Sequence, residues 1–214
     1  SIRGTMNKPK ILFYDIETTP LQAWIWHLGK QYIRHPQLIK EYSFTKIICI
    51  TYCWNDGKPA KALVWDQSKQ NCDSVVSRFD EIIKDADFTV GKNSDRFDLK
   101  HINTNRMLAG LPGMPEWRLY TEDLEKQIRK HFNFSSNSLD YVSELLGYGG
   151  KEKMDFGDWI DIVTNNSNAK KSLKKMVSYG LKDVEDTRVI WDKLLPHLTP
   201  KWNYATIKNL GLIC

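Results

Sequence analysis

The chain has 214 residues, 41% of them hydrophobic, with 8 Trp, 9 Tyr and 8 Phe, enough apolar mass for one α/β domain with a sizeable core. Lys and Arg number 31 against 26 Asp and Glu, a net charge of +5, which admits a polyanionic partner without requiring one. No apolar run of about 18 residues exists to span a membrane, no signal-length apolar stretch precedes the first strand, and the four cysteines complete neither a disulfide framework nor a zinc pattern, so a reducing cytoplasm is the expected setting.

Ser1–Thr5 read as a vector-derived tail ahead of Met6, residues 6–198 as one domain and 199–214 as a helical extension. Lys10 to Glu17 forms the first strand, and Thr18-Thr19-Pro20 turns the chain out of it. Trp24 to Phe44 is aromatic-rich, with no clean period. Ile47 to Trp54 is a second strand, and Asn55-Asp56-Gly57-Lys58 folds the chain back through Ala60 to Trp65 as a hairpin. Cys49 and Cys53 fall on one face of that strand and read as small core hydrophobes. Val75, Val76, Phe79, Ile82 and Ile83 have helical spacing over 73–84. Phe88-Thr89-Val90 is a short strand, followed by a helix from Arg96 to Leu108 that stops at Gly110. Arg118 to Thr121 reads as the last strand. Helices follow near 122–132, 138–147 and 156–164. A long helix runs from Ala169 to Leu195, ended by Pro196, and a final amphipathic stretch covers 201–210. Hairpin first, then alternating strand and helix, then mostly helix, predicts a mixed sheet with helices packed on it.

Three places carry acids where burial is expensive. Asp15 and Glu17 sit two apart on the first strand, so they share a face about 7 Å apart. Like charges on an apolar strand cost several kcal/mol, on the order of one or more pKa units each, unless a cation neutralises them or the strand end simply meets water. Asn93-Ser94-Asp95-Arg96-Phe97-Asp98 opens a helix. There Asn93 or Asp95 fits an N-cap, and Asp98 fits either a first-turn acid favoured by the helix dipole or a site residue facing the sheet. Tyr179 and Asp183 are i, i+4 on the long helix and share one of its faces.

In this order and at these separations, strand Asp-x-Glu, Asn-x3-Phe-Asp and Tyr-x3-Asp resemble the DEDD superfamily of 3′-5′ exonucleases. Tyr179 marks the subgroup called DEDDy, which includes the proofreading exonuclease domains of DNA polymerases. Phe134 to Asp140 with Leu145-Leu146-Gly147 looks like the helix that precedes the third motif there. The resemblance spans about residues 10 to 195 and is nearest to stand-alone phage or bacterial members. It implies a ribonuclease-H-like fold: a mixed five-stranded sheet flanked by helices, with a helical C-terminal part. It also implies that Asp15, Glu17, Asp98 and Asp183 hold two divalent cations, Mg2+ or Mn2+, and that Tyr179 orients the attacking water. Thr18 and Thr19 would offer backbone N–H groups to the terminal nucleotide. Asn93 would belong to the substrate site, and Phe97 would stack on a base or pack in the core. Some such proteins carry a cysteine-rich ribbon after the exonuclease, which would make Cys214 the first ligand of a zinc site.

The function so implied is removal of mononucleotides from single-stranded DNA 3′ ends in proofreading or repair, with a DNA polymerase as partner and no membrane. An RNA 3′ trimmer and a catalytically silent nucleic-acid-binding module are the alternatives. Trp24, Trp26 and Tyr32 lie near the first motif, where they either stack bases or, for at least one of them, pack in the core.

Overall fold

Apolar residues on both faces and acids only at its far end suit β1 (Ile11–Thr18) to the middle of a sheet. The structure is a computed structural model, and it describes residues 9–30, 32–33, 44–113, 120–148 and 153–200. β1 pairs antiparallel with β2 (Ile47–Trp54), Leu12 facing Trp54 and Asp15 facing Thr51, with an irregularity between Glu17 and Thr18. On its other side it runs parallel to β4 (Phe88–Gly91). β3 (Lys61–Val64) extends the β2 edge as the expected hairpin, and β5 (Thr121–Asp123) lies parallel to β4. The order β3-β2-β1-β4-β5 gives the mixed five-stranded sheet of the ribonuclease-H-like fold.

Alternation along β1 divides the core in two. Leu12, Tyr14 and Ile16 pack with α1 (Asp73–Ile83) and with Ile102 of α2 (Asp98–Leu108), and the Tyr14 and Phe79 rings lie 5.5 Å apart. Ile11 and Phe13 pack on the other side with α3 (Leu124–His131), α4 (Leu139–Leu145) and the second half of α6 (Ala169–Leu194). Each such side chain contributes about 1.5–3 kcal/mol on burial. Cys49 and Cys53 are buried as expected. α5 (Phe156–Thr164) begins at Asp155 in a capping box and packs along the first half of α6. α6 ends in a 3-10 turn, Leu195–His197, at Pro196.

Two boundaries differ from the sequence reading. The last strand is Thr121–Asp123 rather than a stretch ending at Thr121, and α3 starts at Leu124. Glu122 and Asp123 look like first-turn helix acids, yet both are buried in the strand; Glu122 accepts from Gln127 Nε2 at 3.0 Å and Asp123 caps α3. α2 starts at Asp98 with Phe97 in the cap position and no side-chain cap, so neither Asn93 nor Asp95 caps it. Arg118, residues 1–8, the 201–210 stretch and Cys214 lie outside the described residues. Among the described residues no helix is long and apolar enough to cross a membrane.

Candidate active site

Asp15 and Glu17 are half-buried and continue the β1 face of Ile11 and Phe13, the face that α6 covers. Across the pairing stand Thr51, opposite Asp15, and Cys49, opposite Glu17. Burial, with Glu17 and Asp15 adding to it, raises the Cys49 thiol well above its usual pKa.

What brings α6 to them is a glycine. A Cβ at Gly180 would fall 2.9 Å from Thr51 Cγ2 and 3.2 Å from Thr51 Oγ1, so only glycine lets the helix backbone rest on β2. Thr51 Oγ1 donates to Gly180 O at 3.0 Å, and one turn on Cys53 Sγ donates to Val184 O at 3.7 Å. The helix is thereby laid along β2, and Tyr179 and Asp183, on either side of the contact in sequence, reach the level of Asp15. Asp15, Tyr179 and Asp183 line one cleft of about 300 Å3, together with Lys92, Asn93 and the start of α4 at Ser138, Leu139 and Asp140.

The second acidic segment is fastened from below by Asp123. Gly91 allows the turn after β4, because a Cβ there would sit 2.5 Å from Ser94 Cβ. Asn93 takes a positive φ of 59°. Its N–H donates to Asp123 Oδ1 at 2.9 Å, Asp95 N donates to Asp123 Oδ2 at 3.2 Å, and Glu125 N donates to Asp123 Oδ1 at 3.0 Å. Asp95 itself pairs with Lys126 at 2.6 Å, and Lys92 pairs with Glu125 at 2.8 Å. This loop aims Asp98 at β1, where its Oδ1 accepts the N–H of Ile16 at 3.2 Å, between Asp15 and Glu17 in the chain. Asp98 is only 3% exposed. Burial pushes its carboxyl up to about 7 against the pull of its own and the Ile16 backbone N–H groups, with Asp123 adding to the rise and Lys92 opposing it.

The other sequence candidates are placed differently. Thr19 does not face outward with a free amide: its N–H donates to Lys46 O at 2.8 Å and its Oγ1 accepts from Lys46 N at 3.0 Å, a clamp that closes the end of the β1–β2 pair. Thr18 is the last residue of β1 and half-buried. Phe97 is 40% exposed with its ring 4.4 Å from that of His101, so it is not a core residue. Trp24, Trp26 and Tyr32 are all exposed, at 68%, 93% and 73%, because the described residues 21–30 and 32–33 form no strand or helix whose face could bury them. The core role expected for at least one of the three is not found. Glu17 and Asp98 are not part of the cleft wall. Among the described residues no three His, Cys, Asp or Glu side chains form a ready-made ion cage. The donor set nevertheless suits a hard divalent ion, being all carboxylate oxygen. A buried Asp98 that resists ionisation would be stabilised as a carboxylate by such an ion.

Gly180, Thr51 and Asp123 escaped the sequence reading. Gly180 had a signal, a glycine inside a long helix next to the candidate tyrosine, where it costs about 1 kcal/mol against alanine unless something needs it.

Neither a protein-family model nor a curated protein matches this chain. Among solved structures it is similar to the family B DNA polymerase from the hyperthermophilic archaeon Pyrobaculum calidifontis, with a TM-score of 0.63 and 18% identity over 91% of this chain and 26% of that one. The chain thus spans about a quarter of that polymerase's length, and at this identity the likeness is one of fold.

Proposed function

We propose that this chain is a metal-dependent 3′-5′ exonuclease that releases mononucleotides from single-stranded DNA 3′ ends, in replication proofreading or repair. The observation that carries the reading is the convergence of Asp15, Tyr179, Asp183 and Asn93 on one cleft, with Asp98 fastened to β1 beside it. These residues come from three segments up to 168 positions apart, and packing of the helices on the sheet does not require Asp15, Asp98 and Asp183 to be acids. The exonuclease resemblance of the three motifs, and a fold similar to part of a DNA polymerase, support the same reading.

Asp15, Glu17, Asp98 and Asp183 would hold two Mg2+ or Mn2+ ions. When bound, the ions activate water and neutralise the charge that develops on the leaving oxygen. Tyr179 holds the water in line through its hydroxyl; a phenol titrates near 10 and is a poor base at neutral pH. Water oxygen bonds to phosphorus, the P–O3′ bond breaks, and the 3′-oxygen leaves as a hydroxyl with the proton that the water gives up. Asn93 and the exposed Phe97 ring border the path of the terminal nucleotide, and Thr18 stands at the end of the strand that presents the acids. Trp24, Trp26 and Tyr32 offer π-faces to unpaired bases. Unpairing a duplex end costs a few kcal/mol, so single strands are the preferred substrate.

The test is digestion of 5′-labelled single-stranded DNA and matched RNA with Mg2+, Mn2+ or chelator. The expected result is a ladder shortening from the 3′ end of DNA, lost in chelator. Faster RNA trimming would reassign the substrate, and no hydrolysis in either metal would leave a silent binding module.

A further inference from the structure

The first half of α6 has a charge distribution that helix stability does not explain. From Ala169 to Lys182 the helix carries Lys170, Lys171, Lys174, Lys175 and Lys182 and no acid; from Asp183 to Leu194 it carries four acids. The positive end of a helix dipole lies at its N-terminus, so lysines there oppose it, and acids in the first turn would be the stabilising choice. There are none. Two of the five are neutralised within the fold: Lys175 pairs with Asp158 at 2.9 Å, and Lys182 pairs with Asp186. Lys170, Lys171 and Lys174 are exposed and have no ion-pair partner among the described residues.

Lys171 and Lys174 share with Ser178 the wall of a cleft between α5 and α6, of about 500 Å3. The acids of that wall are already engaged. Asp158 takes Lys175, Ser172 Oγ and the N–H of Asp155, and Asp161 takes Ser172 Oγ at 2.8 Å and Asn166 Nδ2 at 2.8 Å. The wall carries Lys171, Lys174 and Lys175 against Asp158 and Asp161, so its net charge is positive by one, and Lys171 and Lys174 are its lysines outside an ion pair. Ser178 precedes Tyr179 in α6, so this cleft and the candidate active site lie along the same helix. At about 1.5 Å per residue, Lys174 and Lys171 stand about 7.5 and 12 Å along the helix axis from Tyr179.

We propose that the α5–α6 cleft is a phosphate track that holds the single strand 5′ of the linkage being cut, with Lys171 and Lys174 each taking one backbone phosphate and Ser178 donating from its hydroxyl between them and the active site. The proposal rests on the exonuclease reading for the direction of the strand but not for its chemistry, since two unpaired lysines on a groove bind phosphates whether or not hydrolysis follows.

Binding in chelator keeps the two readings apart. Fluorescence anisotropy of a labelled single-stranded 12-mer and 3-mer is measured against the parent, Lys171→Ala/Lys174→Ala, and a control pair, Lys58→Ala/Lys61→Ala, on the hairpin at the other end of β2. The double variant is expected to bind the 12-mer about tenfold more weakly at low salt and to lose about 1.4 from the slope of log affinity against log salt, about 0.7 for each phosphate contact. The 3-mer, too short to reach both lysines from the active site, should lose less, and the control pair should match the parent. An unchanged salt slope, equal losses on 12-mer and 3-mer, or an equal loss in the control pair would overturn the track. A parent that binds with the predicted slope yet hydrolyses nothing in Mg2+ or Mn2+ would overturn the exonuclease reading and leave the track standing.

Discussion

Asp98 and Asp123 are buried to nearly the same degree, 3% and 2% exposed; Asp98 closes the loop between β4 and α2, and Asp123, at the end of β5, holds that loop. Their surroundings differ in one respect. Asp123 accepts three backbone N–H groups, from Asn93, Asp95 and Glu125, so its buried oxygens are satisfied within the fold. Asp98 accepts the Ile16 N–H from across the sheet, and its carboxyl is driven up to about 7 by burial. Asp123 serves the loop and the cap of α3, whereas Asp98 is an acid whose surroundings oppose its charge. In the proposed function, a cation held by Asp98 with Asp15 and Glu17 would favour that charge.

The widest break between the two should appear in hydrolysis. Asp15→Ala and Asp98→Asn should each lower single-strand digestion by about 10^3-fold or more, while leaving the metal-free protein at least as heat-stable as the parent, since each relieves repulsion among neighbouring acids. Parental digestion rates in either variant would remove that residue from the site. Asp123→Asn should do the reverse: a stability loss of about 1–3 kcal/mol from the loosened loop and lost cap, read by denaturant unfolding.

Tyr179→Phe keeps the ring and removes the hydroxyl, so digestion should fall by about 10- to 10^3-fold with Mn2+ affinity by calorimetry little changed. Loss of Mn2+ binding would make the tyrosine a structural element of the site. Gly180→Ala tests how the helix reaches the acids. A methyl 2.9 Å from Thr51 Cγ2 should cost about 1–3 kcal/mol and lower digestion as well, by moving Tyr179 and Asp183 away from Asp15. Thr51→Ser in the same protein gives the methyl room while keeping the hydroxyl, and should restore part of both.

A pH dependence separates the two acids as well. Asp98 binds its proton more tightly folded than unfolded, so it favours the folded state fully at pH below about 4, and that contribution is lost as pH rises toward about 7. In chelator, the parent should therefore lose stability over this range relative to Asp98→Asn, which has no such proton to lose. Parallel curves would mean that Asp98 ionises freely.

The sequence exposes the acids but not their supports, for a physical reason. Asp15 and Glu17 interrupt an apolar strand, and Tyr179 and Asp183 share a helix face, so both pairs violate or satisfy a local period that can be counted. The β2–β3 hairpin is legible in the same way, from its Asn-Asp-Gly turn between two strand-like runs. Asp123 offers no such signal, because Thr121-Glu122-Asp123 has neither alternation nor apolar content, and its strand character comes wholly from pairing with Thr89 to Gly91. Thr51 looks like any strand threonine until α6 lands on it. Thr19 reads as a loop residue with a spare amide, and only the β1–β2 register hands that amide to Lys46. Trp24, Trp26 and Tyr32 stay exposed although aromatic content alone argues for burial, since no periodic element carries them inward.

The most direct test is thermal unfolding of chelator-stripped protein against added Mn2+. An ion at 100 times its dissociation constant stabilises the folded state by about 2.7 kcal/mol, which for a chain of this size raises Tm by roughly 5–10 °C. The parent should show that rise, Asp98→Asn and Asp15→Ala should lose most of it, and Asp123→Asn should start from a lower Tm and keep it. A parent whose Tm ignores Mn2+, or an Asp98→Asn variant that responds as the parent does, would contradict the assignment of these acids to a cation site.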